Sequence, residues 1–158
     1  MPIFIEPIGA IRSDYVSPEG MPIQAAHSVS LGSVEIYPQF FDGLRDLEGF
    51  DHVILLYQFH LSNKELLRVI PFLDDVQRGL FATRAPTRPN RIGLSVVRLH
   101  GIVGNRLDIG NVDMASGTPV IDIKPYVPAF DSPAPGRIGW FDGRLDKAAA
   151  MPADDRMR

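Results

Sequence analysis

The chain contains no cysteine, which removes disulfide frameworks, thiolate zinc sites and cysteine nucleophiles together. No two of its fourteen glycines stand two positions apart, so the G-x-G fingerprint of dinucleotide-binding Rossmann folds is missing. A Walker lysine loop, a G-x-S-x-G elbow and an H-E-x-x-H zinc motif are missing as well, which sets aside the common nucleotidase, hydrolase and metalloprotease readings. The four histidines, His27, His52, His60 and His100, are too dispersed for a metal-ligand pattern, and no metal is expected. Long apolar runs are also lacking. The longest, around Val53–Leu61, is too short to span a bilayer, and the opening MPIFIEPIGA carries an acid and two prolines instead of a basic leader. A cytoplasmic protein without a membrane partner is the expectation. The last absence is of acids: between Val76 and Leu107 there is neither Asp nor Glu, but Arg78, Arg84, Arg88, Arg91, Arg98 and Arg106 are present. In a chain of net charge −3 this reads either as a basic island that would focus anionic ligands or as a solvated Arg-rich face.

What is present in quantity is punctuation. Fourteen glycines and fourteen prolines in 158 residues cut the chain into short segments with β-branched residues between the breaks, a pattern of strands and not of a helix bundle. Strands are expected at Phe4–Ile11, Val29–Tyr37, Phe50–His60, Gly79–Thr83 and Pro119–Ile123, with Gly93–Val103 and Leu107–Asp113 joined as a hairpin across Gly104-Asn105. The nearly continuous apolar run Phe50–His60 suggests a strand buried on both faces. Phe40–Leu47 reads as a short helical or turn segment stopped at Gly49, and Asn63–Asp75 as a short helix ended by Pro71. The prediction is a mainly β, single-domain closed barrel over residues 1–144, of about six to seven short strands with one or two short helices. Closure removes the exposed edges that so many short strands would create. Residues 145–158 are expected to fray.

Three polar clusters interrupt the strand pattern. In Phe81–Gly93, Pro86 and Pro89 stiffen a loop from which Arg84 and Arg88 project, the arrangement of a phosphate or carboxylate clamp; a surface turn with solvating arginines is the alternative. In Asp113–Tyr126, strand alternation puts Val120, Asp122 and Lys124 on one face and Ile121 and Ile123 on the other. That delivers an acid, a base and then Tyr126 to one strand end, although a plain ion pair would look the same. In Phe50–His60, His52 reads as a structural residue and His60, at the strand end, as a functional one.

Taken together, Ile8–Ser13, Leu47–His52, the FATR-x-P-x-RPN-x-IG-x-S string of Phe81–Ser95 and the GTPV-x-DIKPY string of Gly117–Pro128 resemble the YaeB/TrmO family, in the family's order and across most of residues 3–128. The resemblance implies a β-barrel methyltransferase that uses S-adenosylmethionine (SAM), works as a homodimer and methylates the exocyclic N6 of threonylcarbamoyl-adenosine beside the tRNA anticodon. Cofactor contacts would fall at Ala25, Ala26 and His27, at His60, Leu61 and Ser62, at Arg84 and Ala85, at Ser95, and at Lys124, Pro125, Tyr126 and Val127. Arg84, Arg88, Asn90 and Arg91 would engage RNA. Asp122 would act as general base, oriented by Tyr126. Ser116 stands where the family usually has aspartate, Arg91 where it usually has proline, and the C-terminal domain of many bacterial members is not in this chain. Other readings that these residues leave open are SAM-dependent methylation of another RNA or a small molecule, a SAM-binding regulatory module without catalysis, and a cofactor-free RNA-binding barrel.

Overall fold

The structure, a computed structural model, describes residues 1–150 apart from the side chains of His27, Ala149 and Ala150. Eight strands are present among them: β1 (Gly9–Arg12), β2 (Gly32–Ile36), β3 (His52–Gln58), β4 (Arg68–Val69), β5 (Arg78–Gly79), β6 (Ile92–Val103), β7 (Arg106–Gly110) and β8 (Pro119–Pro125). Six of them close into an antiparallel barrel in the order β1-β2-β7-β6-β3-β8, and β4 and β5 form a separate two-stranded ladder. The expected closed barrel is the observed architecture. The β6–β7 hairpin turns at Gly104, whose φ of 60° is a conformation glycine adopts without a Cβ penalty.

The core is the barrel interior. Ile11, Val34, Val53, Leu55, Val97, Leu107, Val112 and Val120 are all fully excluded from solvent. Each strand supplies alternate residues, so β3 buries Val53, Leu55 and Tyr57 while His52, Ile54 and Leu56 stay half-exposed. The apolar run Phe50–His60 is therefore buried on one face, not two: a barrel has only one inside.

Strand β8 departs from simple alternation. Leu56 lies opposite Asp122 and Tyr57 opposite Val120, so Ile121 is an extra, unpaired residue. Such a bulge reverses the phase of the faces. Val120 and Ile123 both pack on the core, whereas Asp122 and Lys124, opposite Leu56 and Ile54, sit on the outer face. The single face expected for Val120, Asp122 and Lys124 is thereby split.

Several boundaries also move. The first strand starts at Gly9, not Phe4, and residues 1–7 are exposed. The second is confined to β2. Asn63–Asp75 is not helical: the Leu66 N–H donates to the Thr87 carbonyl and the Leu80 N–H to the Leu67 carbonyl, so this segment spends its hydrogen bonds on neighbours outside itself. Gly79–Thr83 is mostly the 3₁₀ turn Leu80–Ala82. Phe40–Leu47 is the turn alternative, as the 3₁₀ turns Pro38–Leu44 and Leu47–Gly49, the second ending at the expected Gly49. Past Arg144 the chain does not fray at once, because Leu145–Ala150 forms a 3₁₀ turn with Ala148 buried; 151–158 lie outside the described residues.

Candidate functional site

One rim of the barrel gathers the chemistry. It is built where β3 ends, β6 begins, the β7–β8 connection passes and the 3₁₀ turn Ala25–His27 folds over them. That turn is sewn down locally. Ser28 Oγ donates to the Val112 carbonyl at 2.6 Å, and Asn111 Nδ2 donates to the Ser28 carbonyl at 2.9 Å. Asn111 itself takes a left-handed backbone, φ 58°, which Asn tolerates better than most residues. These bonds hold the Ala25 backbone N–H against the Asp113 carboxylate.

Asp113 is the focus. Ser95 Oγ donates to its Oδ1 at 2.8 Å, and the Tyr57 hydroxyl lies 3.0 Å from Ser95 Oγ. Because the serine proton is committed to the carboxylate, Tyr57 is the donor to Ser95, which gives a relay Tyr57 to Ser95 to Asp113. Tyr57 fits there because its ring lies over Gly93, where any Cβ would collide with it. Burial pushes the Asp113 carboxyl up to about 6, against the opposing pull of Ser95, of the Asp113 and Ala25 backbone N–H groups and of the Arg84 charge. Burial likewise pushes the Tyr57 phenol up, helped by the charge of Asp113. A carboxyl poised near neutrality inside a cleft is what proton transfer at physiological pH requires.

His60, Leu61 and Ser62 border the same small cleft, together with Pro86, Met114 and Thr118. Burial holds the His60 imidazole below its usual range. Ser62 Oγ and Thr87 Oγ1 are buried without a hydrogen-bond partner. Orphan hydroxyls of this kind sit ready for a polar ligand atom. Arg84, exposed, donates to Gln24 Oε1 at 2.7 Å.

The expected site residues thus divide into groups. Ala25, Ser95 and Arg84 converge with Asp113, and His60, Leu61 and Ser62 share its cleft. Ala26 is exposed beside Ala25; the side chain of His27 lies outside the described residues. Ala85 joins Arg84 on the wall of a second, larger cavity. Arg88 is not a free clamp. Its Nη1 donates to the Thr83 carbonyl at 2.8 Å and the Ala85 carbonyl at 3.3 Å, and its guanidinium lies 5.7 Å from the Phe81 ring. It holds the loop from inside. Asn90 is exposed, and Arg91 takes φ 51°, its carbonyl accepting the Phe59 N–H.

Asp122 is 2.8 Å from Lys124 Nζ in an exposed ion pair on the outer face; this hydrogen-bonded partner raises the Lys124 ammonium. Tyr126 sits by His52, rings edge to face at 6.2 Å and its N–H on the His52 carbonyl. Along β3, Lys124 lies opposite Ile54 and Ser95 opposite Leu55, one residue apart, but Lys124 faces outward and Ser95 inward. Tyr126 lies farther along, at His52.

The Arg-rich stretch is likewise not one patch. Arg78, Arg98 and Arg106 pair with Asp74, Asp51 and Asp108, all outside it. Asp113, Tyr57 and Gln24 are the contributors missed in the sequence. Only the position of Asp113, heading its polar cluster, hinted at its role. No group of three or more potential metal ligands exists among the described residues, and no helix there is long and apolar enough to cross a membrane.

With this geometry in place, comparison with known proteins is informative. Residues 10–132 match the family described as the tRNA-methyltransferase O N-terminal domain. A "Probable S-adenosyl-L-methionine-binding protein" of Pyrococcus abyssi is 46% identical over 159 residues, covering 99% of this chain and 86% of that protein. The human tRNA (adenine(37)-N6)-methyltransferase is 37% identical over 140 residues, covering 83% of this chain but only 32% of its own length. The crystal structure of TrmO from Pseudomonas aeruginosa superposes with a TM-score of 0.75 at 41% identity, over 88% of this chain and 62% of that one. This chain belongs to the tRNA-methyltransferase O N-terminal domain family.

Proposed function

We propose that this protein is a SAM-dependent methyltransferase acting on tRNA, and that its target is the exocyclic N6 of a threonylcarbamoyl-adenosine next to the anticodon. The observation that carries the reading is the convergence of Arg84, the Ala25 backbone and the buried Asp113–Ser95–Tyr57 relay on one rim, in a chain with SAM-binding relatives. The donor set suits the cofactor: Arg84 offers a cation for its carboxylate, Asp113 an anion for its cationic groups, and Ser62 an unused hydroxyl. SAM supplies an electrophilic methyl group when bound. What the chain contributes is orientation and proton handling. The amine of a threonylcarbamoyl-adenosine is conjugated to a carbonyl and is a weak nucleophile until its proton leaves. Asp113 takes that proton, and Ser95, fixed by Tyr57, holds the carboxylate in place.

Asp122, on the outer face, is turned away from the Asp113 cleft. That outer face of β6, β3 and β8 supports pairing with a second copy: Ile92 and Leu94 are exposed there, flanked by half-exposed Ile54, Leu56 and Val96. A homodimer through this face covers those side chains. The cytoplasm, where tRNA is processed, is the compartment this function requires.

The test is direct. Purified protein titrated with SAM in a calorimeter should release heat without added metal, and should then transfer labelled methyl groups to tRNA carrying threonylcarbamoyl-adenosine but poorly to the same tRNA lacking it. Binding without transfer to any RNA would favour the regulatory module; equal labelling of both tRNAs would remove the substrate assignment.

A further inference from the structure

A second cavity is larger than the Asp113 cleft. It offers about 720 Å³ between the β4–β5 ladder, the Arg84 loop and the segment holding Trp140 and Leu145. That volume is in the range of small-molecule sites. Its walls are mainly apolar, from Ile23, Leu66, Val69 and Phe141 among others, and three cations stand in the lining, Lys64, Arg68 and Arg84, with no acid there among the described residues. The nearby acid, Asp74, is occupied with Arg78 at 2.6 Å and Arg144 at 3.8 Å.

This charge pattern discriminates between ligands. SAM carries a sulfonium and an ammonium against a single carboxylate, so its net positive charge is ill matched to three cations without a counter-acid. A planar ring with an attached anion is matched on both counts, since the apolar walls take the ring and the fork of Arg or the ammonium of Lys takes the anion. Arg84 ties the two sites together. It lines this cavity while its charge acts on Asp113, and Pro86 borders both cavities. One wall, Trp140 and Phe141 stacked at 4.0 Å, lies beyond the 10–132 stretch that matches the family.

We infer that this cavity receives the target nucleobase together with an anionic group attached to it, the base reaching the Asp113 cleft past Pro86, which borders both cavities. The inference rests on the proposed function and names the substrate side of that site. The anion comes either from a carboxylate on the modified base or from a flanking phosphate, and these sources are separable.

Trp140 is the only tryptophan in the chain, so its emission reports on this cavity alone. It is followed while threonylcarbamoyl-adenosine nucleoside, adenosine 5′-monophosphate and plain adenosine are added. One or both anionic ligands should change the emission at concentrations at least tenfold below adenosine. The nucleoside responding identifies a carboxylate as the anion, and the monophosphate responding identifies phosphate. Lys64→Ala and Arg68→Ala should each weaken that response roughly tenfold, as loss of a charge-assisted contact does, with the SAM calorimetry unchanged. Equal response to all three ligands, no response to any, or displacement of the nucleoside by SAM overturns the inference. Nucleoside binding that survives while SAM gives no heat and no methyl is transferred would sink the methyltransferase reading and leave this one standing.

Discussion

Replacing Asp113 by Asn should make the protein more stable at neutral pH and disable it. The carboxyl is raised from 3.8 to about 6 by burial. A raised acid costs stability once the pH exceeds its unfolded value, and the cost is complete above its folded value. At about 1.4 kcal/mol per unit, holding Asp113 ionised at pH 8 costs about 3 kcal/mol, and about half of that cost is gone at pH 5, where the folded carboxyl is largely protonated. Asn preserves the acceptor for Ser95 but turns a donor toward the Ala25 N–H, forfeiting about 1 kcal/mol. The net gain is about 2 kcal/mol at pH 8, or roughly 4–8 °C in Tm for a domain of this size, and most of it is lost at pH 5. Thermal unfolding of both proteins at the two pH values measures this, with methyl transfer assayed in parallel. A stabilisation that does not change with pH, or an Asp113→Asn enzyme with normal turnover, would refute the reasoning about the buried carboxylate.

The other expectations follow from neighbouring features. Arg88→Ala should lower stability by about 2–3 kcal/mol, since it removes charge-assisted bonds to loop carbonyls, whereas Arg84→Ala should leave Tm within about 2 °C and reduce methyl transfer; denaturation and transfer assays on both variants separate the roles. Arg91→Gly should stabilise by up to about 1 kcal/mol, because the left-handed backbone there costs an L-residue about that much, and Arg91→Pro should destabilise, since a proline ring holds φ near −65°; chemical denaturation decides both. The proposed homodimer should scatter light at twice 17.5 kDa, and Leu94→Arg should halve that mass while circular dichroism shows the barrel still folded.

The barrel was legible because glycine, proline and alternation are local signals, and the Gly104-Asn105 turn marked the hairpin within a residue. What failed was whatever depended on distant partners. Asn63–Asp75 carries good helix formers, but the Leu66 N–H meets the Thr87 carbonyl and the Leu67 carbonyl meets the Leu80 N–H first. The face of Asp122 depends on one unpaired residue, Ile121, which no period-two reading anticipates. Arg88 and Arg84 look alike in sequence and differ only in what surrounds them: carbonyls for one, Gln24 and open cavity for the other. Asp113 is hidden in the sequence for the same reason, because its neighbours Ser95, Tyr57 and Ala25 come from three other parts of the chain.

The six-stranded barrel has one further consequence. A cylinder this narrow, packed to its axis by aliphatic side chains, has no lumen to offer a ligand, so recognition is exported to the loops at its mouth. Those loops are stitched to one another, as Ser28 is to Val112 and Leu66 to Thr87, but they also cap the barrel, since Ala25, Val112 and Met114 belong to its core. Selectivity and foldability are coupled at those three positions, so a loop exchange that retargets recognition would have to leave the capping side chains in place.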